Sequence, residues 1–356
     1  MENTDLTIKN YNYSEKIKAL VLICFCGVIL FFATIHSPFL YDDAHAIEDN
    51  PYIKNLSQFQ QLVGVQNIFN RSILLLTFSV NNDLGQLDVF GYHLINIMLH
   101  LCVGIILYFL TMELVRIEES SFAKIFQRLP IVVSLIHIFN PINIESITYL
   151  SSRSSVLATF FYLSSFYLFI RFVNYKEKKI NKWGNILCLV AGLLLFYLGL
   201  GTKEIIVTLP IIAILYLWVQ SSTKRLRTFI PELLVIMVPL IIYLLYRYID
   251  MGNLFVIKND PYSHMIDREL YLVTQIKAII SYYLVKILFP INLNFEPDMR
   301  LVSGILDWEW MACLIIGVCL AICIFKQKSI LLKYALAWAL ITILPTSSII
   351  PLKQIV

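Results

Sequence analysis

Two adjacent carboxylates, Asp42 and Asp43, stand just beyond an apolar run, Ala19–Ile35. That run is about 17 residues, near the lower limit for a helix crossing a hydrocarbon core about 30 Å thick. Ionisable groups emerging beside lipid are costly and mark a site by default. The plainer alternative is an ordinary loop in which Asp43 or Asp49 caps a helix. Further charges recur at the ends of later apolar runs: Arg71, Glu145, Arg153, Lys203 and Glu204. His93, Asn96 and His100 are spaced at i, i+3 and i+7, one face of a helix. Such a stripe either hydrogen-bonds a neighbouring helix or lines a site. Carboxylates beside cations suit a reaction in which Arg or Lys neutralises a phosphate leaving group and a carboxylate takes a hydroxyl proton. Arg71, Arg153 and Lys203 would be the phosphate contacts. The same charges also fit buried structural bridges or a transporter of an anionic substrate.

Composition fixes the setting. The chain has 58% hydrophobic and 15% charged residues, and its mean hydropathy is +0.74, which excludes a soluble globular domain. Long apolar runs between short charged loops describe an all-α, multi-pass membrane protein, because lipid forbids open strand edges. The net charge of +4 resides in loops, not in a nucleic-acid-binding stripe, so it reports orientation and implies no nucleic acid partner. All seven cysteines fall in apolar runs without ligand-like spacing, which argues against a disulfide framework or a zinc site, and they read as small core residues. The first run lacks a convincing cleavage pattern and reads as a signal anchor.

Lys16 and Lys18 precede the first span and place Asp42 and Asp43 on the outer face. Residues 38–90 form a long outer loop, with one amphipathic helix suggested by Ile53, Leu56, Phe59 and Leu62–Val63 and a second by the apolar stretch after Arg71. Later spans lie at 92–114, 129–139 (short, and broken by Pro141), 154–172, 183–201, 205–219 and 229–249. Residues 250–307 form an outer loop in which 271–290 is apolar yet carries Gln275, Lys277 and Lys286. A full crossing there would invert the charge rule for the rest of the chain, so the segment reads as interfacial or re-entrant. Spans at 310–325 and 331–344 bring the count to about nine membrane segments in one polytopic domain, residues 1–356. No internal repeat is visible.

Five ordered elements carry a family resemblance. Tyr41-Asp42-Asp43 with Ile47 and Asn50-Pro51 resembles the first-loop motif of the transmembrane and tetratricopeptide-repeat O-mannosyltransferases and their bacterial relatives. Asn70-Arg71-Ser72 resembles that family's Tyr-Arg-Pro element. Phe90-Gly-Tyr-His93 with Asn96 and His100 resembles its second-span signature. Asn140-Pro141-Ile-Asn143-x-Glu145, with Ser152-Arg153-Ser154, resembles its His-Pro-Ile-His-x-Glu and Gly-Arg-Ser/Ala elements. Lys203-Glu204 resembles its Ser/Thr-Lys-Glu turn. Together these cover residues 38–210.

The resemblance implies a helical bundle of the C-type glycosyltransferase kind, using a polyprenyl-phosphate sugar donor and a hydroxyl acceptor such as protein Ser or Thr. It makes Asp42 or Asp43 the base, or one of them the holder of a divalent metal ion, with His93, Asn96, His100, Glu145 and Glu204 in support. The membrane would be the inner membrane in a bacterium and the endoplasmic reticulum in a eukaryote. Departures are visible: Asn140 and Asn143 replace His, Ser72 replaces Pro, and Ser155 stands where an acidic residue often occurs. Donor sugar and acceptor are therefore open to differ from mannose and a protein hydroxyl. Residues 344–356 resemble the stretch before the family's Arg-Leu-Tyr-Leu-Pro element, and no tetratricopeptide repeats are present. A transporter or flippase of a lipid-linked anion, and an inactive truncated remnant, are the alternatives.

Overall fold

The structure is a computed structural model that describes residues 13–54, 57, 69, 71–118, 127–179, 181–220, 227–251, 268–294, 297, 299–304 and 307–345. Among these residues every regular element is helical. The amphipathic helix expected around Leu56–Val63 lies outside them, as does most of the 250–270 loop.

The chain forms two compact units, residues 1–206 and 207–356. The first begins with α1, Tyr13–Phe31, which tightens into a 3-10 turn over Phe32–Thr34. The loop beyond it holds a π-helical turn, Ala44–Glu48, and a 3-10 turn, Pro51–Ile53. Asn50 starts the latter by accepting from the Tyr52 amide at 3.0 Å, with Pro51 at the first helical position, where its missing N–H costs nothing. Helix α2, Ser72–Gly85, is the expected short helix after Arg71. Helix α3, Val89–Leu114, is capped by Asp88, whose Oδ1 accepts from the Phe90 amide at 3.0 Å.

Helix α4 is the short third run, Leu129–Phe139. Asn140 and Pro141 end it and start a 3-10 turn, Pro141–Asn143, then α5, Ile144–Thr148. The bend between α4 and the next segment is 53°, the break that Pro141 imposes on an apolar run. A further turn, Leu150–Ser152, leads into α6, Arg153–Lys178, and α7 is Lys182–Leu200. Ile23, Tyr108, Met112 and Ile138 pack α1, α3 and α4 together. Ser165 Oγ donates to the Gly192 carbonyl at 2.7 Å and ties α6 to α7.

A 3-10 turn, Glu204–Thr208, leads into α8, Leu209–Gln220, and α9 is Ile230–Met251. Helix α10, Arg268–Lys277, continues through a π-helical stretch, Ala278–Leu284, into α11, Val285–Leu288. Asp307 caps α12, Trp308–Lys326, and Ser329 caps α13, Ile330–Ile343. The two lysines of the 271–290 run have partners. Lys277 forms an ion pair with Glu309, and Lys286 donates to the carbonyls of Ile291 and Asn292 at 2.6 and 2.9 Å.

The protein is an all-α, multi-pass membrane protein. Among the described residues seven helices are long and apolar enough to cross a bilayer, or eight if the bent pair around Pro141 is one span; Glu204–Gln220 and Ile330–Ile343 are shorter apolar helices. Each of the nine runs expected to span is present as a helix. Large side chains such as Phe25, Leu187 and Ile315 stay exposed on these helices, as expected where the surrounding solvent is lipid. The seven cysteines are free.

Candidate active site

The first unit gathers most of the charges picked out from the sequence around one stretch of chain, Glu145–Ser155. Arg153 is its fixed point. The guanidinium is fully buried, with Phe78 of α2 stacked 4.5 Å from it. Nε donates to Asn96 Oδ1 at 2.6 Å, one Nη to Asn81 Oδ1 at 2.7 Å and Thr77 Oγ1 at 3.2 Å, and the other Nη to the Tyr92 carbonyl at 2.9 Å. Arginine has only donors, so both asparagines must turn their carbonyl oxygens inward. Asn96 Nδ2 then faces the Ile147 carbonyl at 3.2 Å, joining α3 to α5. Arg153 and Asn96 together thus fasten α2, α3, α5 and α6 at one end of the bundle.

The acidic pair is divided. Asp43 is fully buried, while Asp42 is exposed. Asp43 Oδ1 accepts from the Ser151 amide and hydroxyl at 2.7 and 2.6 Å, and Oδ2 from the Leu40 amide at 3.1 Å. Asp43 stands at the N-cap position of the turn Ala44–Glu48, but its side chain makes no capping bond to that turn. It clamps the first loop to the α5–α6 connection instead. The Asp42 carboxylate lies near the Tyr149 phenol, whose proton affinity burial and that carboxylate raise. Tyr41, just before the pair, has φ 49°, a left-handed conformation that is costly for a bulky side chain.

The cationic side of the site lies on the same stretch. Lys203 Nζ donates to Ser155 Oγ at 2.8 Å. Burial pushes its ammonium below the usual lysine range, as does the Arg71 guanidinium, while Glu204 and Glu145 oppose the shift. Arg71, Glu145 and Glu204 are exposed and surround it. The Ile73 amide donates to the Gly201 carbonyl at 3.3 Å, which brings the start of α2 to the turn after α7 and so Arg71 towards Lys203. Arg71 also has positive φ, 56°. Gly199 allows the close approach behind this turn, since a Cβ there would meet Ile206 at 2.5 Å and Phe161 at 3.1 Å.

The histidine stripe separates along α3. His93 Nε2 lies 2.9 Å from the Ser37 carbonyl and steadies the start of the loop. His100 lies farther along the helix, stacked on His137 of α4 at 4.2 Å and against the edge of Phe31, away from the acidic pair. Among the described residues no three His, Cys, Asp or Glu side chains converge as metal ligands. Asp43 is fully buried and Asp42 is exposed, so a divalent ion at this pair would fall to Asp42, with its other ligands from water and substrate.

Tyr149, Ser151, Thr77 and Asn81 belong to the site and were not singled out by sequence, and Ser155 stood out only as a departure from the family pattern. Each is a common, uncharged residue. Only Asn81, inside the apolar run of α2, carried a signal of its own, as a costly polar group beside lipid.

No protein-family model matches the chain, and no solved structure does. Sequence relatives do exist. Over 321 residues the chain is 21% identical to a protein O-mannosyl-transferase of Caenorhabditis elegans, covering 86% of this chain and 43% of that protein. It is 27% identical over 169 residues to protein O-mannosyl-transferase Tmtc3 of Drosophila melanogaster, 40% of this chain and 18% of the other. The human protein O-mannosyl-transferase TMTC3 is 26% identical over 168 residues, 44% of this chain and 17% of the other. The chain therefore spans less than half the length of these relatives. With the ordered motifs of residues 38–210, these similarities make the chain a distant relative of the TMTC protein O-mannosyl-transferases.

Proposed function

We propose that the protein is a membrane glycosyltransferase that moves a mannose-like hexose from a polyprenyl-phosphate donor to a hydroxyl acceptor, such as a protein Ser or Thr, at the outer or lumenal face. The observation that carries this reading is the joint tethering of the first loop, through Asp43, and of Lys203 to the stretch Glu145–Ser155. The loop that carries Asp42 and a phosphate-binding cation are thereby held on one support.

In this reading Asp42 takes the acceptor proton as the acceptor oxygen forms its bond to the sugar C1. The bond from C1 to the phosphate oxygen breaks, and the polyprenyl phosphate leaves with the electron pair. Arg71 and Lys203 neutralise the charge that develops on it. Glu145 and Glu204 hold the lysine in place. Asp43 orients the loop, and Arg153 holds the frame on which both sides rest. Any divalent ion that assists the leaving phosphate would be held by Asp42.

Purified protein in liposomes, given a radiolabelled polyprenyl-phosphate hexose and a Ser/Thr-containing acceptor peptide, should transfer label to the peptide or release it by hydrolysis. Movement of intact donor across the bilayer without cleavage would instead establish a transporter.

A further inference from the structure

Lys277 and Lys203 are anchored by opposite means. Lys277 pairs with the Glu309 carboxylate, which neutralises its charge. Lys203 Nζ donates to a neutral partner, Ser155 Oγ at 2.8 Å, and among the described residues no carboxylate lies within ion-pair distance of it. An ammonium carries three N–H donors, so two remain for a ligand, with the charge intact. Glu145 and Glu204 favour that charge from farther away.

Ser155 has a donor of its own. Its Oγ accepts from Lys203, and among the described residues its O–H donates to no protein acceptor. A helical hydroxyl commonly donates back to the carbonyl four residues earlier, as Thr159 does to the Ser155 carbonyl at 2.8 Å. Ser155 makes no such bond. It stands in the first turn of α6, two residues after Arg153, whose four hydrogen bonds fix that turn in the bundle. A hydroxyl and an ammonium, both with N–H or O–H to give, therefore sit side by side on a rigid element, with the Arg71 guanidinium near.

We propose that Ser155 is a further binding residue for the donor phosphate: its hydroxyl orients the Lys203 ammonium and donates its own proton to the same phosphate group. The inference rests on the reading of Lys203 as a phosphate contact. A lysine already ordered by Ser155 loses less rotamer freedom when the phosphate arrives. A carboxylate at position 155 would order it too, but would neutralise it and repel the phosphate.

Binding of three ligands is to be titrated in detergent: a polyprenyl-phosphate hexose, polyprenyl phosphate without the sugar, and uncharged polyprenol. The proteins are the wild type, Ser155→Ala, Ser155→Thr, Ser155→Asp and Lys203→Ala. Ser155→Ala should weaken both phosphate ligands about tenfold, the scale of a hydrogen bond to a charged group, and leave polyprenol within about twofold. Ser155→Thr keeps the hydroxyl and should stay within about twofold of the wild type for all three ligands. Ser155→Asp should bind the phosphates more weakly than Ser155→Ala. Wild-type phosphate affinity in Ser155→Ala, with Lys203→Ala weakened, overturns the role of Ser155 and leaves that of Lys203 standing. A loss in Ser155→Ala that polyprenol shares, or wild-type phosphate affinity in Ser155→Asp, also overturns it. Wild-type phosphate affinity in Lys203→Ala overturns the phosphate reading of the lysine, and the role of Ser155 with it.

Discussion

Arg153 Nε and Asn96 Oδ1 lie 2.6 Å apart inside the bundle, and the guanidinium meets neutral acceptors on its other sides, with no salt bridge among the described residues. A buried cation satisfied in this way is a fastener. Arg153→Ala would leave two asparagine carbonyls, a threonine hydroxyl and a backbone carbonyl without their donor. Each buried polar atom so orphaned costs about 1–3 kcal/mol, with relaxation reducing the sum. The variant should therefore lose on the order of 3–5 kcal/mol and melt well below the wild type in detergent. Arg153→Lys should recover part of this, since an ammonium lacks the planar fork and its stacking on Phe78. A wild-type melting temperature for Arg153→Ala would refute the role.

The acidic pair predicts two separable phenotypes. Asp42→Asn should fold normally, bind donor normally and lose about 10²–10⁴-fold in turnover, the usual effect of removing a general base. Asp43→Asn keeps one carbonyl oxygen but puts an amide N–H₂ among donors, namely the Leu40 and Ser151 amides and the Ser151 hydroxyl. Its first loss should be stability, read as a lower melting temperature, with turnover falling as the loop loosens. Normal melting for Asp43→Asn would remove its clamping role.

The span pattern was readable because hydropathy and length decide which helices lie in lipid. Leu129–Phe139 with its break at Pro141 is one example, since proline punctuates wherever it falls. The division of Asp42 from Asp43 was not readable. It depends on the turn at Tyr41 and on Ser151, which is 108 residues away from Asp43 in sequence. Arg153 shows the same limit. A cation at the head of an apolar run looks like a ligand-binding group until its neutral partners on α2 and α3 are seen. Sequence could place Lys203 beside lipid, but its partner Ser155 carries no charge to announce the pairing.

Charge distribution and length give opposing readings of the helix from Glu269 to Leu288, which has a hydropathy of 1.3, the lowest among the candidate spans. Lys326, Lys328 and Lys333 lie beyond it at the far end of α12 and the start of α13, and keeping them on the basic side requires 271–290 to return to the face it left. With native cysteines replaced, Asp49→Cys and Ser303→Cys should both react with an impermeant thiol reagent from one side. Lys179→Cys should react only after the membrane is opened. Protection of Ser303→Cys alongside labelling of Asp49→Cys would show that the segment crosses.

Lys203 predicts a pH dependence with opposite signs for binding and stability. Burial and Arg71 lower its proton affinity, so in the folded protein it loses its charge at a lower pH than a free lysine. As pH rises through that depressed value the donor phosphate loses a cation, and donor affinity should fall earlier on the alkaline side than an unperturbed lysine allows. Stability should move the other way. Across the same window the unfolded chain binds more protons than the folded one, so this group's contribution to stability rises with pH. Lys203→Arg should carry donor binding to higher pH, because guanidinium remains charged. Lys203→Ala should weaken donor binding about tenfold, equivalent to roughly 1.4 kcal/mol, and abolish that alkaline limb. Donor affinity measured by titration from about pH 7 to about pH 10.5, the free lysine range, tests this directly in the three proteins. Coincident profiles would show that Lys203 is not a phosphate contact.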